Sequence, residues 1–299
     1  MGFSRPPREE IVPFATEEDY AECARLHRQH GTTYFFASRR LPSQMRRQVD
    51  AVYGFVRLPD EWVDNPDPNE PDSANARLTS YRQEMLAATY GKRPTFGVLR
   101  AFSDVLRNCA ISLEEPLVFL DAMEADLTVT RYPDYQALQR YMRGSAVSVG
   151  MMMLKVLGAD QGPATREAAT ALGEAMQLTN FLRDIADDLD RGRIYLPQDE
   201  MARFGVTEAQ LMRRLVSKGF VELMRYQIVR ARTLYERSDA GIALLPDEVR
   251  FGVALARELY AKILEKIEAA DYDVFRARVR TTPQEKMVAA WRVWSGAEA

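Results

Sequence analysis

Two Asp-x-x-x-Asp pairs sit inside runs that are otherwise apolar and helix-like. The first closes residues 53–64, Tyr-Gly-Phe-Val-Arg-Leu-Pro-Asp-Glu-Trp-Val-Asp, and the second closes residues 177–188, Gln-Leu-Thr-Asn-Phe-Leu-Arg-Asp-Ile-Ala-Asp-Asp. Aspartates four apart lie one turn apart on a single helix face. Tyr53, Arg57, Asp60 and Asp64 fall within roughly 60° on a helical wheel, and Gln177, Asn180, Asp184 and Asp188 within roughly 80°. A polar stripe on an apolar helix cannot all face bulk water; it lines a wet cavity or pairs internally. Taken singly, each pair is better read as an exposed acidic face or an ion pair with Arg183 or Arg191. Two pairs in register with amides and a guanidinium point instead to a helical cavity for Mg²⁺ and a phosphorylated ligand, since hard cations take carboxylate and phosphate oxygens. Arg57 offers a planar fork for a phosphate. Pro59 is expected to break the first helix after Leu58, with a restart beyond it.

The rest of the chain keeps the helical period. Thr16, before Glu17, Glu18 and Asp19, reads as an N-cap opening a helix to about residue 30. Pro42 fits the first turn of the next helix. A loop with Pro66, Pro68 and Pro71 follows, then a helix over 74–90 closed by Gly91. Further helices are expected over 95–110, 116–127, 135–142, 146–157, 165–189, 218–238, 247–269 and 284–294. Thr207-x-x-Gln210 is a capping box. Residues 127–130 form the best strand-like run, and it is very short. There is no repeat of fixed period and no low-complexity linker. The expectation is an all-α fold: an N-terminal extension over 1–15 and one helical domain over 16–299, with its site on facing helices.

Composition narrows the function. A net charge of −3 and a pI near 5.7 argue against a nucleic-acid partner. Cys23 and Cys109 make neither a disulfide framework nor a CxxC site, and suit a reducing, cytoplasmic setting. No apolar run is long enough to span a membrane, and the charged, Pro-rich N-terminus is no signal peptide. His27 and His30, without a third imidazole, read as a polar helix end rather than a zinc site.

The chain resembles the squalene/phytoene synthase family, most of all its bacterial phytoene synthases. The resemblance rests on His30-Gly-Thr-Thr-Tyr-Phe-Phe-Ala-Ser-Arg-Arg-Leu-Pro42, the 53–64 run, Tyr141-Met-Arg-Gly-Ser-Ala-Val-Ser-Val-Gly150, Gln177-Leu-Thr-Asn-Phe-Leu-Arg-Asp184, Arg191-Gly-Arg-Ile-Tyr-Leu-Pro197, Tyr272-Asp-Val-Phe275, Arg278 and Lys286. It implies a single-domain, isoprenoid-synthase-type helical bundle with a central cavity. It implies Mg²⁺-dependent (Mn²⁺ as the alternative ion) head-to-head condensation of two geranylgeranyl diphosphates to phytoene, through a cyclopropyl-carbinyl diphosphate, in carotenoid biosynthesis. No nicotinamide is expected for that product. By resemblance Asp60, Asp64, Asp184 and Asp188, with Asn180, hold the metal ions. Arg57, Tyr141 and Tyr260 join them as catalytic residues, and Thr33, Tyr34, Ser38, Tyr53, Gln177, Asn180, Arg278 and Lys286 bind substrate. Phe35, Phe36, residues 151–154 and Leu157 are candidate walls for the prenyl tails, although each taken alone reads better as plain core.

Departures from the family pattern fall at Pro59, Gly31, Met142 and Val147, and none removes a metal ligand. The alternatives are a squalene, dehydrosqualene or hydroxysqualene synthase using farnesyl diphosphate, head-to-tail prenyl elongation, and a non-catalytic helical scaffold or degenerate homologue. Ser38 stands where shorter-chain relatives carry a bulky aromatic, which favours the longer substrate. A hydrocarbon product suggests peripheral contact with the inner face of a membrane and with downstream carotenoid enzymes. Arg39, Arg40, Arg46 and Arg47 are the candidate lipid contact, weighed against an ordinary solvated helix.

Overall fold

Caps and apolar stripes set the helices in order. The computed structural model describes residues 12–66, 69, 70 and 73–296. Most of the expected N-terminal extension, together with Pro68 and Pro71 of the expected loop, lies outside the described residues. Thr16 and Asp19 form a reciprocal capping box that opens α1 (Glu17–His30). The chain continues through α2 (Thr32–Ser38), α3 (Ser43–Asp64), α4 (Ser73–Thr89), α5 (Gly97–Asn108), α6 (Glu114–Ala125) and α7 (Tyr135–Met142). A π-helical turn over Arg143–Val147 leads without a break into α8 (Ser148–Val156), and α9 (Pro163–Arg183) and α10 (Ile185–Asp190) follow. The remainder is α11 (Gln198–Arg203), α12 (Glu208–Met212), α13 (Lys218–Ala243), α14 (Asp247–Ala269) and α15 (Pro283–Ser295). The expected capping box at Thr207 and Gln210 opens α12, and Gly91 takes its left-handed φ of 84° after α4. The strand-like run is no strand: among the described residues the only β pairing is an isolated bridge between Arg131 and Ile194.

The expected break at Pro59 is absent, because α3 runs through it to Asp64. Proline has no N–H, so the carbonyl of Phe55 loses its helical donor. The hydroxyl of Tyr81 on α4 donates to that carbonyl at 3.4 Å. The irregularity falls instead in the second motif, expected to be continuous over 165–189. Asp184 has φ −104° and ψ 14°, between α9 and α10. Its carboxylate is held by the guanidinium of the adjacent Arg183. Adjacent side chains do not face each other on a regular helix, so that pairing goes with a local distortion.

Two large buried clusters meet around the site. One joins α1, α3, α4, α5, α6 and α8, with Phe55 stacked on Phe102 at 3.8 Å. The other joins α7, α9, α13 and α14. Gly241 lets α13 approach α9 closely, since a Cβ there would lie 2.0 Å from that of Ala168. A small third cluster ties α2 and α15 to α14 through Ala37, Leu255, Leu259, Ala289 and Ala290. Among the described residues no helix is long and apolar enough to cross a membrane.

Candidate active site

A cavity of about 420 Å³ lies where the two large clusters meet. That size suits a small-molecule ligand. One end is polar, with Tyr53, Arg57 and Asp60 from α3 and Gln177 and Asn180 from α9. The rest is mostly apolar, walled by Val56, Phe119, Met153, Leu154, Leu157 and Leu172, with the hydroxyls of Ser38, Ser145, Thr165 and Ser238 among them. Of the expected tail-binding walls, Met153, Leu154 and Leu157 are in place. Phe35, Phe36, Met151 and Met152 do not line the cavity. Met151 and Met152 are packed into the first large cluster and Phe36 against the small third one, since α2 and α8 each show only one face to the cavity.

The two acidic motifs do face each other. Asp60 accepts from Arg57 at 2.5 Å, and Arg57 also pairs with Glu61. Burial and the neighbouring Asp64 push the Asp60 carboxyl up to about 6, although it opens onto the cavity. Asp64 accepts from Arg193 at 2.6 Å. Burial alone would raise Asp184, but Arg183 and Arg278, each donating twice at 2.6–2.7 Å, outweigh it and hold the carboxyl below its ordinary range. Asp188 accepts no side-chain hydrogen bond among the described residues; burial, then Asp184 and Asp64, raise it well above the ordinary carboxylate range. Burial thus raises Asp60 and Asp188, while arginines hold Asp64 and Asp184.

These residues fit a hard divalent cation by chemistry. All the donors are oxygens. Asn180 Oδ1 is buried without a partner, while its amide nitrogen leans 3.4 Å from Gln177. Among the described residues no three carboxylates, imidazoles or thiols converge on one point, because the arginines hold the aspartates apart.

Aromatic groups form the inner wall. Tyr141 lines the cavity and donates to the buried Asp126 at 2.5 Å, and Tyr195 donates to the same carboxylate at 3.4 Å. Phe181 stacks on Tyr195 at 4.2 Å. Tyr34 lines the cavity and stacks on Tyr260 at 4.6 Å; Tyr260 itself stands behind it. Burial raises the phenols of Tyr34, Tyr141 and Tyr260, so all three stay neutral. Ser38 is buried on the cavity wall and donates to the Phe35 carbonyl at 3.0 Å. Thr33 is half-buried outside the lining. Lys286 donates to the Thr32 carbonyl at 3.3 Å, and burial lowers its ammonium.

His27 is not part of a polar helix end. It is buried, its Nδ1 is 2.7 Å from Asp50, and its ring stacks on Tyr53 at 4.3 Å. A Cβ on Gly31 would lie 2.6 Å from the Tyr53 ring and 2.8 Å from that of His27. The glycine at that position is the packing partner of this stack. Sequence reasoning missed Asp126, Ser145 and the roles of Arg183 and Arg193. Asp126 lies in no periodic polar stripe, and its importance comes from the fold bringing Tyr141 and Tyr195 to it. Ser145 Oγ lines the cavity, buried and unpartnered, on the π-helical turn. Such turns often mark functional positions.

The chain is similar to known proteins over most of its length. The sequence model of the family described as squalene/phytoene synthase matches residues 27–285. A phytoene synthase from Arthrospira platensis is 33% identical over 93% of this chain and 93% of its own length. A 15-cis-phytoene synthase from Synechococcus elongatus is 30% identical over 94% of each. Among solved structures, a dehydrosqualene synthase in complex with ligand superposes with a TM-score of 0.86 at 29% identity, covering 94% of this chain and 96% of that one. A squalene synthase from Alicyclobacillus acidocaldarius gives 0.77 at 27%, over 85% and 95%.

Proposed function

The chain belongs to the squalene/phytoene synthase family and is an enzyme of the prenyltransferase type, and from that premise we propose that it condenses two geranylgeranyl diphosphates head to head to phytoene. The observation that carries this reading is the division of one cavity into a polar end, with Arg57, Asp60, Gln177 and Asn180, and a mostly apolar remainder. A diphosphate suits the first and a prenyl tail the second.

Asp60, Asp64, Asn180, Asp184 and Asp188 would hold Mg²⁺ (or Mn²⁺), which supplies Lewis-acid charge to the leaving diphosphate. Arg57, Arg278 and Lys286 orient the diphosphates and balance their charge, with Thr33 beside them. The neutral phenols of Tyr34 and Tyr141 line the cavity where the allylic cation would be left, with Tyr260 stacked behind Tyr34; an aromatic face attracts positive charge without capturing it. Asp126 fixes the Tyr141 hydroxyl. The apolar wall excludes water, so the cation is attacked by the second substrate's double bond rather than hydrolysed. That attack closes a cyclopropane ring with loss of one proton, and the resulting cyclopropyl-carbinyl diphosphate loses its remaining diphosphate, rearranges and sheds a second proton, without a nicotinamide. A farnesyl diphosphate substrate is the second reading, favoured by the likeness to a solved dehydrosqualene synthase.

Incubation with each diphosphate, with and without NADPH and Mg²⁺, tests both readings. Phytoene from geranylgeranyl diphosphate without NADPH, and loss of diphosphate release on chelation, are expected. Asp60→Asn and Asp184→Asn are each expected to raise the barrier by about 3 kcal/mol or more. Hydrocarbon from farnesyl diphosphate alone establishes the second reading, and native turnover in the doubly substituted enzyme rules out the metal assignment.

A further inference from the structure

The last helix turns a face of large apolar side chains outward. On α15, Met287 is 60% exposed, Val288 52%, Trp291 61% and Trp294 76%. Met287, Trp291 and Trp294 fall within roughly 60° on the helical wheel, with Val288 on the flank. Ala289 and Ala290 are the buried residues of the helix and seat it against Leu255 and Leu259 of α14. Single exposed apolar residues are ordinary, but a contiguous set including two tryptophans is not.

Cations stand on the same helix and in the segments that flank it and α2. Lys286 precedes it on the same helix, points over the Phe36 ring at 5.8 Å and ties α15 to α2. Arg39 and Arg40, exposed directly after α2, and Arg280, exposed just before α15, enter no ion pair with the described residues. Arg47, by contrast, is bridged to Glu17 and stacked over Tyr20, so it is not free as the basic-stretch reading required. The inner faces of α2 and α14 line the catalytic cavity, through Tyr34 and Ser38 and through Gly252 and Ala256.

We propose that the Met287, Val288, Trp291 and Trp294 face of α15 docks on an anionic lipid surface, with Arg39, Arg40 and Arg280 at the headgroups. Tryptophan, with an apolar ring and an N–H, partitions to the bilayer interface. An amphipathic helix binds there through apolar burial plus attraction of its cations to anionic lipid. A second copy of the chain fits less well, since a self-complementary contact brings each set of unpaired cations close to its own copy. The prenyl-diphosphate reading gives this surface its use, because α15 backs the helices that would hold the tails. The surface itself rests on exposure and charge alone.

The test is flotation of the full chain with phosphatidylcholine vesicles, with and without phosphatidylglycerol, in the absence of substrate. The chain has three tryptophans, and Trp62 is buried, so a blue shift of emission on lipid reports Trp291 and Trp294. Native protein is expected to float with the anionic vesicles and shift blue. Trp291→Gln/Trp294→Gln is expected to bind about tenfold less or weaker, and phenylalanine at both positions to retain binding. The glutamine variant should keep its diphosphate release from detergent-dispersed substrate, which separates loss of docking from loss of the proposed chemistry. Equal flotation of native and glutamine proteins, no flotation of native protein, or a native dimer abolished by the glutamine substitutions would overturn the proposal.

Discussion

At Gly31 the missing side chain is what lets His27 and Tyr53 stack. A Cβ there lands 2.6 Å from one ring and 2.8 Å from the other, and both rings are confined, His27 by Asp50 as well. Gly31→Ser should therefore destabilise the fold by about 1–3 kcal/mol through overpacking. The loss should shrink in a His27→Ser background, because the two residues share one space; urea midpoints of the four proteins check this, and equal losses in both backgrounds refute it. Asp126 gives a second prediction at this scale. Burial lifts its carboxyl to about 6 from an ordinary 3.8. Between those values the folded state holds a proton that the unfolded chain has released, so stability falls as pH rises through the window, by on the order of 3 kcal/mol from this group. Asp60, also about 6, adds a fall of the same sign. Asp126→Asn should flatten the pH 4–6 slope of unfolding free energy without abolishing it, and an unchanged slope would remove Asp126 from the account. The aspartates of the two motifs were legible as residues because their spacing repeats. His27 and Asp126 were not, since their partners lie 23 and 15 residues away and only packing brings them into contact.

Between helices, the chain's own local signals were mostly reliable where caps are strong and misleading where tertiary contacts override propensity. Thr16, Thr207 and Gly91 mark ends that the fold uses. The seven-residue α2 and six-residue α11 carry too little period to be read. The two motif helices exchanged their expected regularity: the one with proline is continuous, and the one without it distorts at Asp184. A hydroxyl from α4 compensates the first, and an arginine pairing unavailable to a regular helix goes with the second. Tyr81→Phe should cost about 1 kcal/mol by leaving the buried Phe55 carbonyl unpaired. In a Pro59→Ala background the restored N–H can take that carbonyl, so the same substitution should cost little. A double-mutant cycle by thermal or urea unfolding measures the coupling, and additive effects would show that Tyr81 packs rather than compensates.

Over the whole molecule, helical period and short loops were enough to anticipate an all-α bundle around a cavity, but not how deep the cavity is or which residues close it. That depth depends on how α2 lies across α14, held by Ala37, Leu255 and Leu259. The arrangement turns Ser38 to the cavity and leaves Phe35 and Phe36 outside its lining. Ser38 is small, and its hydroxyl is already satisfied by the Phe35 carbonyl, so it contributes space rather than a contact. If the prenyl tail runs past this position, Ser38→Phe shortens the room available to it. Discrimination by a few methylenes is worth about 1–3 kcal/mol, so the ratio of kcat/KM for geranylgeranyl to farnesyl diphosphate should fall by roughly tenfold or more without activity being lost. Competition between the two substrates in one reaction, with products resolved by chain length, reads the ratio directly. A native preference for farnesyl diphosphate, or a ratio unmoved by phenylalanine, would mean that the cavity is closed elsewhere. The apolar wall at Leu157 and Met153 would then be the place to look for the limit on chain length.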